Sequence, residues 1–133
     1  VQEVPANASL ATGYGTVLLN DAENQITVNF SWSGLAASAT AAHIHGPAAP
    51  GFNASPIFTL AGISGTSGAI PEQVFAITPS QVADLKEGLH YLNIHNSSFI
   101  GGEIRGQLML IPEPATLSAM ILGGLLLRHK KRR

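Results

Sequence analysis

Two histidines separated by a single residue, His43 and His45, are the first feature of the sequence that suggests chemistry. Side chains alternate along a β-strand, so a strand through this segment places both imidazoles on one face and Ile44 on the other. A third histidine, His95, follows Asn93 with the same spacing of polar residues. Three imidazole nitrogens from neighbouring strands can bind Zn²⁺ or Cu²⁺. The spacing therefore predicts a candidate metal site made by His43, His45 and His95.

The segment Glu103-Ile104-Arg105-Gly106-Gln107 repeats this alternation and extends the predicted polar face. If the three segments are adjacent strands, their isoleucines form an apolar stripe and their polar side chains share the opposite face. Glu103 would then complete the ligands of the metal or orient one of them. The alternative is a hydrogen-bonded network without metal, in which Arg105 pairs with Glu103. His90 is a weaker ligand candidate, because alternation places it opposite His95. The residues assigned to the polar network are Asn93, Glu103, Arg105 and Gln107.

The surrounding sequence predicts an all-β fold that holds these segments. Residues 25–32 alternate between polar and apolar side chains without interruption, which is typical of a half-buried strand. Thr78-Pro79-Ser80-Gln81 is typical of a helix start and Gly88 of a helix end, which predicts a short helix over residues 79–87. We expect an antiparallel β-sandwich or a small Greek-key barrel with one short helix. The predicted strands are residues 14–19, 25–32, 40–45, 55–60, 72–77, 89–95 and 103–111.

Composition excludes several classes of protein. The chain has 133 residues, of which 45 % are hydrophobic and 11 % are charged, so we expect one folded domain. The absence of cysteine excludes disulfides, thiolate metal sites and cysteine nucleophiles. Most of the basic residues lie in residues 128–133, so the rest of the chain is acidic and would repel nucleic acid. No Gly-x-Ser-x-Gly motif occurs, and no catalytic residues are assigned.

Residues 112–133 differ in character from the rest of the chain. They begin with Pro112-Glu113-Pro114, continue through an uncharged segment at residues 115–127, and end in a basic cluster. As a helix, the uncharged segment would be about 20 Å long, shorter than a hydrocarbon core of about 30 Å, so flanking residues must help it to cross. The basic cluster consists of Arg128, Lys130, Lys131, Arg132 and Arg133.

This three-part segment resembles the bacterial PEP-CTERM sorting signal. The resemblance implies a membrane-sorting helix at residues 115–127, transient anchoring in the inner membrane, and cleavage near Pro112-Glu113-Pro114 by an exosortase-type enzyme. The exported protein would then lie at the cell surface, in the periplasm or in the extracellular matrix. We expect an N-terminal secretory signal to have been removed or to lie outside this sequence. The chain thus divides into a β domain, residues 1–111, and a sorting segment, residues 112–133.

Within the β domain, residues 41–48, 91–96 and 101–107 resemble the CHRD domain family. Together with the hairpin that ends at Gly34-Leu35, the resemblance covers residues 8–111. The sequence departs from the family pattern at Ile100-Gly101, where the family has a proline before the Gly-Glu pair. The resemblance implies an extracellular, β-rich binding or structural module without an established catalytic role.

Two kinds of function are compatible with these patterns. The first is an exported, non-enzymatic module that binds extracellular protein or polysaccharide through loops at residues 46–53 and 61–68, or that serves as a structural component of the envelope. The second is a copper- or zinc-binding protein, or an oxidoreductase, that uses the histidines. A His-x-His strand in an antiparallel fold is similar to copper-zinc superoxide dismutase, but only at the level of the fold.

Overall fold

Seven strands and one helix make up residues 2–111, the part of the chain that the computed structural model describes. In chain order they are β1 (Thr12–Leu19), β2 (Gln25–Ser33), β3 (Ala39–His45), β4 (Pro56–Leu60), β5 (Gly68–Ala76), α1 (Pro79–Lys86), β6 (Tyr91–Asn96) and β7 (Ile104–Gln107). The strands form two antiparallel sheets, with the orders β1-β2-β5 and β4-β3-β6-β7. The predicted all-β antiparallel fold with one short helix is confirmed, and its two sheets are those of a sandwich.

The hydrophobic core lies between the two sheets. The central strand β2 points Val28 inward with no exposed surface, and β3 and β6 do the same with Ile44 and Ile94. Ile104 of β7 is also buried, which completes the predicted apolar stripe. The sheets approach closely, since a Cβ atom on Gly13 of β1 would lie 2.9 Å from the Cδ1 atom of Ile104. The alternating polar residues of the second sheet are therefore directed to its outer face.

The helix α1 begins where the sequence predicts. The Thr78 hydroxyl accepts a hydrogen bond from the Gln81 backbone N–H, and the Gln81 side chain accepts one from the Thr78 backbone N–H. This reciprocal pair satisfies two donors that a helix start leaves free. The helix ends at Lys86, and Gly88 turns the chain away with a φ of 71°. A residue with a side chain rarely adopts such a positive φ, which explains the glycine.

The strand bounds differ from the predicted ones by no more than two residues, except at the start of β5 and the end of β7, where the difference is larger. β5 begins at Gly68 rather than at residue 72, although Pro71 lies inside it. Pro71 is tolerated because β5 is an edge strand and its pairing with β2 shifts register between Val28 and Phe30, opposite this segment. β7 ends at Gln107 rather than at residue 111. Residues 109–111 leave the sheet and are exposed.

The sorting segment predicted at residues 112–133 lies outside the described residues. Among residues 2–111, no helix has the length and apolar character needed to cross a membrane.

Candidate metal centre

The pairing of β3 with β6 brings the three predicted ligand histidines together. His43 lies opposite Asn93 in the register, and Ala41 lies opposite His95, so the two histidines are diagonal neighbours on the outer face. His45 follows on the same face of β3, and the candidate ligand atoms of the three rings all lie within 4.8 Å of one another. Nitrogens bound to one Zn²⁺ at about 2.1 Å can be no more than about 4.2 Å apart. Small side-chain rotations would therefore bring the three rings into ligand geometry.

Hydrogen bonds to main-chain carbonyls fix the proton positions on two of these rings. The Nδ1 atom of His45 lies 2.8 Å from the Ala54 carbonyl oxygen, and that of His95 lies 2.9 Å from the Ile100 carbonyl oxygen. A carbonyl oxygen only accepts, so Nδ1 of each ring carries the proton and Nε2 of the neutral ring keeps a lone pair. Histidines that bind metals are commonly oriented in this way by a partner on the other ring nitrogen.

Each of the three rings directs one nitrogen into the cluster. Nε2 of His45 is buried and has no hydrogen-bond partner within residues 2–111. Nε2 of His95 lies 3.0 Å from Nδ1 of His43 and accepts a hydrogen bond from it in the metal-free protein. A metal ion would take the place of that hydrogen bond, with the proton of the neutral His43 ring on its other nitrogen, Nε2, and would also satisfy His45.

Burial keeps these imidazoles in the form that binds metals. Burial lowers the pKa of His43, and the nearby His95 and His45 rings lower it further. Burial also lowers the pKa of His45, while the hydrogen bond to the Ala54 carbonyl partly opposes the shift. Since metals bind the neutral ring, lowered pKa values reduce competition from protons.

An aromatic stack holds the His45 ring from the side. His45 and Tyr91 are nearly parallel, with an interplanar angle of 5° and 4.8 Å between their centroids. The Arg105 guanidinium covers the tyrosine ring, with Cζ 3.3 Å from the centroid, a cation–π contact. The Tyr91 hydroxyl accepts from the Ala54 N–H at 3.1 Å, and Arg105 donates to the Phe52 carbonyl at 2.8 Å. The stack thus ties the loop after β3 to the outer face of the second sheet.

Glu103 does not lie in this cluster, contrary to the prediction. It is fully buried and accepts hydrogen bonds from the Ser9 hydroxyl at 2.5 Å and from the Ala36 N–H at 3.0 Å. The Asn96 side-chain amide is its third donor. Glu103 therefore joins the segment before β1, the loop after β2 and the end of β6, and it has a structural environment distinct from that of the histidines.

The error follows from extending strand alternation beyond the strand. β7 begins at Ile104, and Gly102 just before it has a φ of 126°, which turns the chain so that alternation does not reach Glu103. The predicted pair between Arg105 and Glu103 is not formed; Arg105 bonds instead to Phe52 and Asn53.

The sequence of the chain is similar to that of a known protein family. The CHRD domain family matches residues 1–108 of the chain. The chain belongs to the CHRD family. No curated protein and no solved structure matches it. In this CHRD domain, the segments that resemble the family in sequence supply β3, β6 and β7, the strands of the polar outer face.

The other predicted polar residues of the CHRD domain serve different purposes. Gln107 donates to the carbonyls of Ala48 at 2.9 Å and Gly88 at 2.7 Å, and so fastens two loops to β7. Asn93 is buried at the centre of the cluster's face, and its Oδ1 atom has no partner among residues 2–111. His90 is buried and packs against Gly46, and it is not part of the histidine cluster.

Sequence reasoning missed Glu3, which lies over the polar face. Its side chain is buried, and its Oε2 atom has no hydrogen-bond partner in the described part of the chain. Burial raises the pKa of Glu3, opposed by the hydrogen bond from the Val4 N–H and by the nearby Arg105 guanidinium and His95 ring. A single acidic residue before the first strand has no periodic neighbours, so no sequence pattern predicts its burial.

Proposed function

We propose that this CHRD domain binds a transition-metal ion, Zn²⁺ or Cu²⁺, through His43, His45 and His95. The proposal rests on one observation above all: the buried, unpartnered Nε2 atom of His45 lies beside two further imidazoles. An uncompensated buried acceptor is costly, and a metal ion held by the three rings would compensate it. An all-imidazole set suits copper or zinc and is poorly suited to Ca²⁺ or Mg²⁺, which prefer oxygen ligands.

We also propose a location and a second role for the domain. The Pro-Glu-Pro segment, uncharged stretch and basic end of residues 112–133 support export and anchoring by an exosortase-type pathway. Membership of the CHRD family supports an extracellular, non-enzymatic module. The loop after β3 carries Phe52 at 69 % exposure, an apolar contact point for an extracellular protein or polysaccharide. Metal binding on the same face would fix the shape of this loop, since Ala54 holds both His45 and Tyr91.

The metal proposal is tested by elemental analysis and by titration with Zn²⁺ and Cu²⁺. The full chain, purified in mild detergent and dialysed against a weak chelator, is compared with the His43→Ala/His45→Ala double variant. We expect about one equivalent of metal in the parent protein and a loss of at least about a hundredfold in affinity in the double variant, because two of three ligands are gone.

The matched control is His90→Gln, which removes a histidine outside the cluster. It should keep the metal. Circular dichroism establishes that each variant is folded. A folded parent protein that binds neither ion would disprove the metal proposal and leave the export and binding roles to be tested separately.

A further inference from the structure

Three buried side-chain atoms on the outer face lack hydrogen-bond partners within residues 2–111: Nε2 of His45, Oδ1 of Asn93 and Oε2 of Glu3. They come from three different segments of the chain, β3, β6 and the stretch before β1. Buried polar atoms are nearly always paired, so three of them on one face indicate a ligand that all three would contact.

The register places Asn93 among the three histidines. It lies directly opposite His43 on β3 and one alternate position from His95 on β6. The side chain of Asn93 lies within reach of the His45 ring and raises the pKa of that ring by hydrogen bonding. Asn93 is therefore at the base of the histidine cluster.

The Glu3 side chain also lies near Asn93, although it comes from the stretch before β1. A Cβ atom built on Gly102 would lie 2.7 Å from Oε2 of Glu3 and 2.8 Å from Nδ2 of Asn93, so the two side chains meet over this bare glycine. The Glu3 carboxylate also interacts electrostatically with His95. A side chain at position 102 would clash with both groups.

Hydrogen bonds from the surrounding chain hold the segment that carries Glu3. Gln2 accepts from the Gln107 N–H at 2.8 Å, and the Val4 carbonyl accepts from the Asn53 side chain at 3.1 Å. Glu3 lies between these two anchors. Its position over the cluster is thus imposed by contacts to β7 and to the loop after β3.

We propose that Glu3 and Asn93 hold a water molecule on the metal ion bound by His43, His45 and His95, at a fourth position that small anions can take. The inference rests on the proposed metal centre. A metal with three imidazole ligands commonly takes water as its fourth. Such a water donates two strong hydrogen bonds, and the carboxylate and amide oxygens are the two buried acceptors on this face that have no donor. Glu3 is then a positioning residue that acts through the water.

The test compares Cu²⁺ binding by the full chain with binding by Glu3→Gln. Cu²⁺ is the probe because a site of this kind binds it at least as tightly as Zn²⁺. The control, Glu72→Gln, removes the same charge from an exposed position on β5. We expect Glu3→Gln to bind Cu²⁺ about tenfold to a hundredfold more weakly than the parent, as for other partners that orient metal ligands. Glu72→Gln should match the parent.

Azide binding to the Cu²⁺-loaded proteins is a second measurement. Glu3→Gln is expected to weaken Cu²⁺ binding but to strengthen azide binding. Removing the negative charge beside the fourth position should tighten azide binding about fivefold, the effect of one nearby charge in water. A merely structural role for Glu3 would not tighten it. Asn93→Ala, which removes the other acceptor, should also weaken Cu²⁺ binding.

The possible results separate this inference from the metal centre itself. If the parent binds Cu²⁺ but Glu3→Gln behaves like Glu72→Gln, the water-holding role is wrong and the centre stands. If Glu3→Gln binds Cu²⁺ weakly without any change in azide affinity, the role is also wrong. If the folded parent binds no Cu²⁺, both proposals are wrong.

Discussion

The chemistry of the cluster depends on which nitrogen of each histidine is free. His45 and His95 both donate from Nδ1 to a main-chain carbonyl, so the loops that supply Ala54 and Ile100 decide that Nε2 faces the cluster. The sequence predicted the grouping of the histidines because alternation and the repeated polar pattern suffice for it. It could not predict their tautomers, because those depend on carbonyl groups five and nine residues away in loops.

The lowered pKa values predict how the stability of the metal-free protein changes with pH. His43, His45 and His90 have pKa values below the ordinary 6.5, so below about pH 6.5 the unfolded chain binds protons that the folded chain does not. The free energy of unfolding should therefore decrease as the pH falls through about 6.5. Urea denaturation in the presence of a chelator measures this decrease.

The Glu3 carboxyl changes stability with pH in the opposite direction to the histidines. Its raised pKa means that the folded chain binds the extra proton, which favours folding as the pH falls from above its folded pKa towards 4.5.

His90→Gln removes one of the three histidines with lowered pKa values, so its free energy of unfolding should depend less steeply on pH than that of the parent. If the free energy of unfolding of His90→Gln falls with decreasing pH as steeply as that of the parent, His90 does not contribute to the pH dependence.

At the scale of elements, the repeated polar pattern predicted which strands are neighbours. β3, β6 and β7 carry this pattern and lie side by side in the sheet. The start of β5 was not predictable, because a glycine and a proline in sequence usually indicate a loop, and only the register shift opposite them permits a strand. The position of Glu103 was not predictable because it depends on a turn at Gly102 outside any strand.

Glu103 connects three elements and should contribute strongly to stability. Glu103→Ala leaves the Ala36 N–H, the Ser9 hydroxyl and the Asn96 amide without their shared acceptor. We expect the free energy of unfolding to fall by about 1.5–3 kcal/mol, the usual value for hydrogen bonds to a charged group. Urea denaturation is the measurement.

The comparison variant for Glu103 is Glu72→Ala, which removes an exposed carboxylate on β5. Its free energy of unfolding should change by no more than about 0.5 kcal/mol. Metal binding by Glu103→Ala should stay near that of the parent as long as the variant is folded, because the carboxylate lies apart from the histidines. A selective loss of metal would instead connect Glu103 to the centre.

At the scale of the whole molecule, the described fold is contained in residues 2–111, and the sorting signal proposed for residues 112–133 lies outside them. The hydrophobic core of residues 2–111 draws on both sheets. A protein sorted through its tail should therefore keep its fold after cleavage near Pro112-Glu113-Pro114.

Replacing Glu113 or Pro114 by alanine tests the sorting proposal. In a host that carries the processing enzyme, we expect the variants to accumulate uncleaved in the membrane, because the recognised segment is damaged. Membrane fractionation followed by mass determination of the C-terminus is the measurement. A matched substitution in the uncharged segment, Ser118→Ala, should be processed normally. Normal release of both Glu113→Ala and Pro114→Ala would contradict the sorting proposal.

The hydrogen bond between Gln2 and Gln107 has a geometrical consequence for how such domains can be joined. It places the first described residues beside the last strand of the domain, so the polypeptide enters and leaves at one edge. Domains with adjacent ends can be inserted into a surface loop of another protein or strung in tandem with short connections. In either arrangement the histidine face would keep the same position relative to the junction, so repeated copies would present their histidine clusters in the same way at every junction.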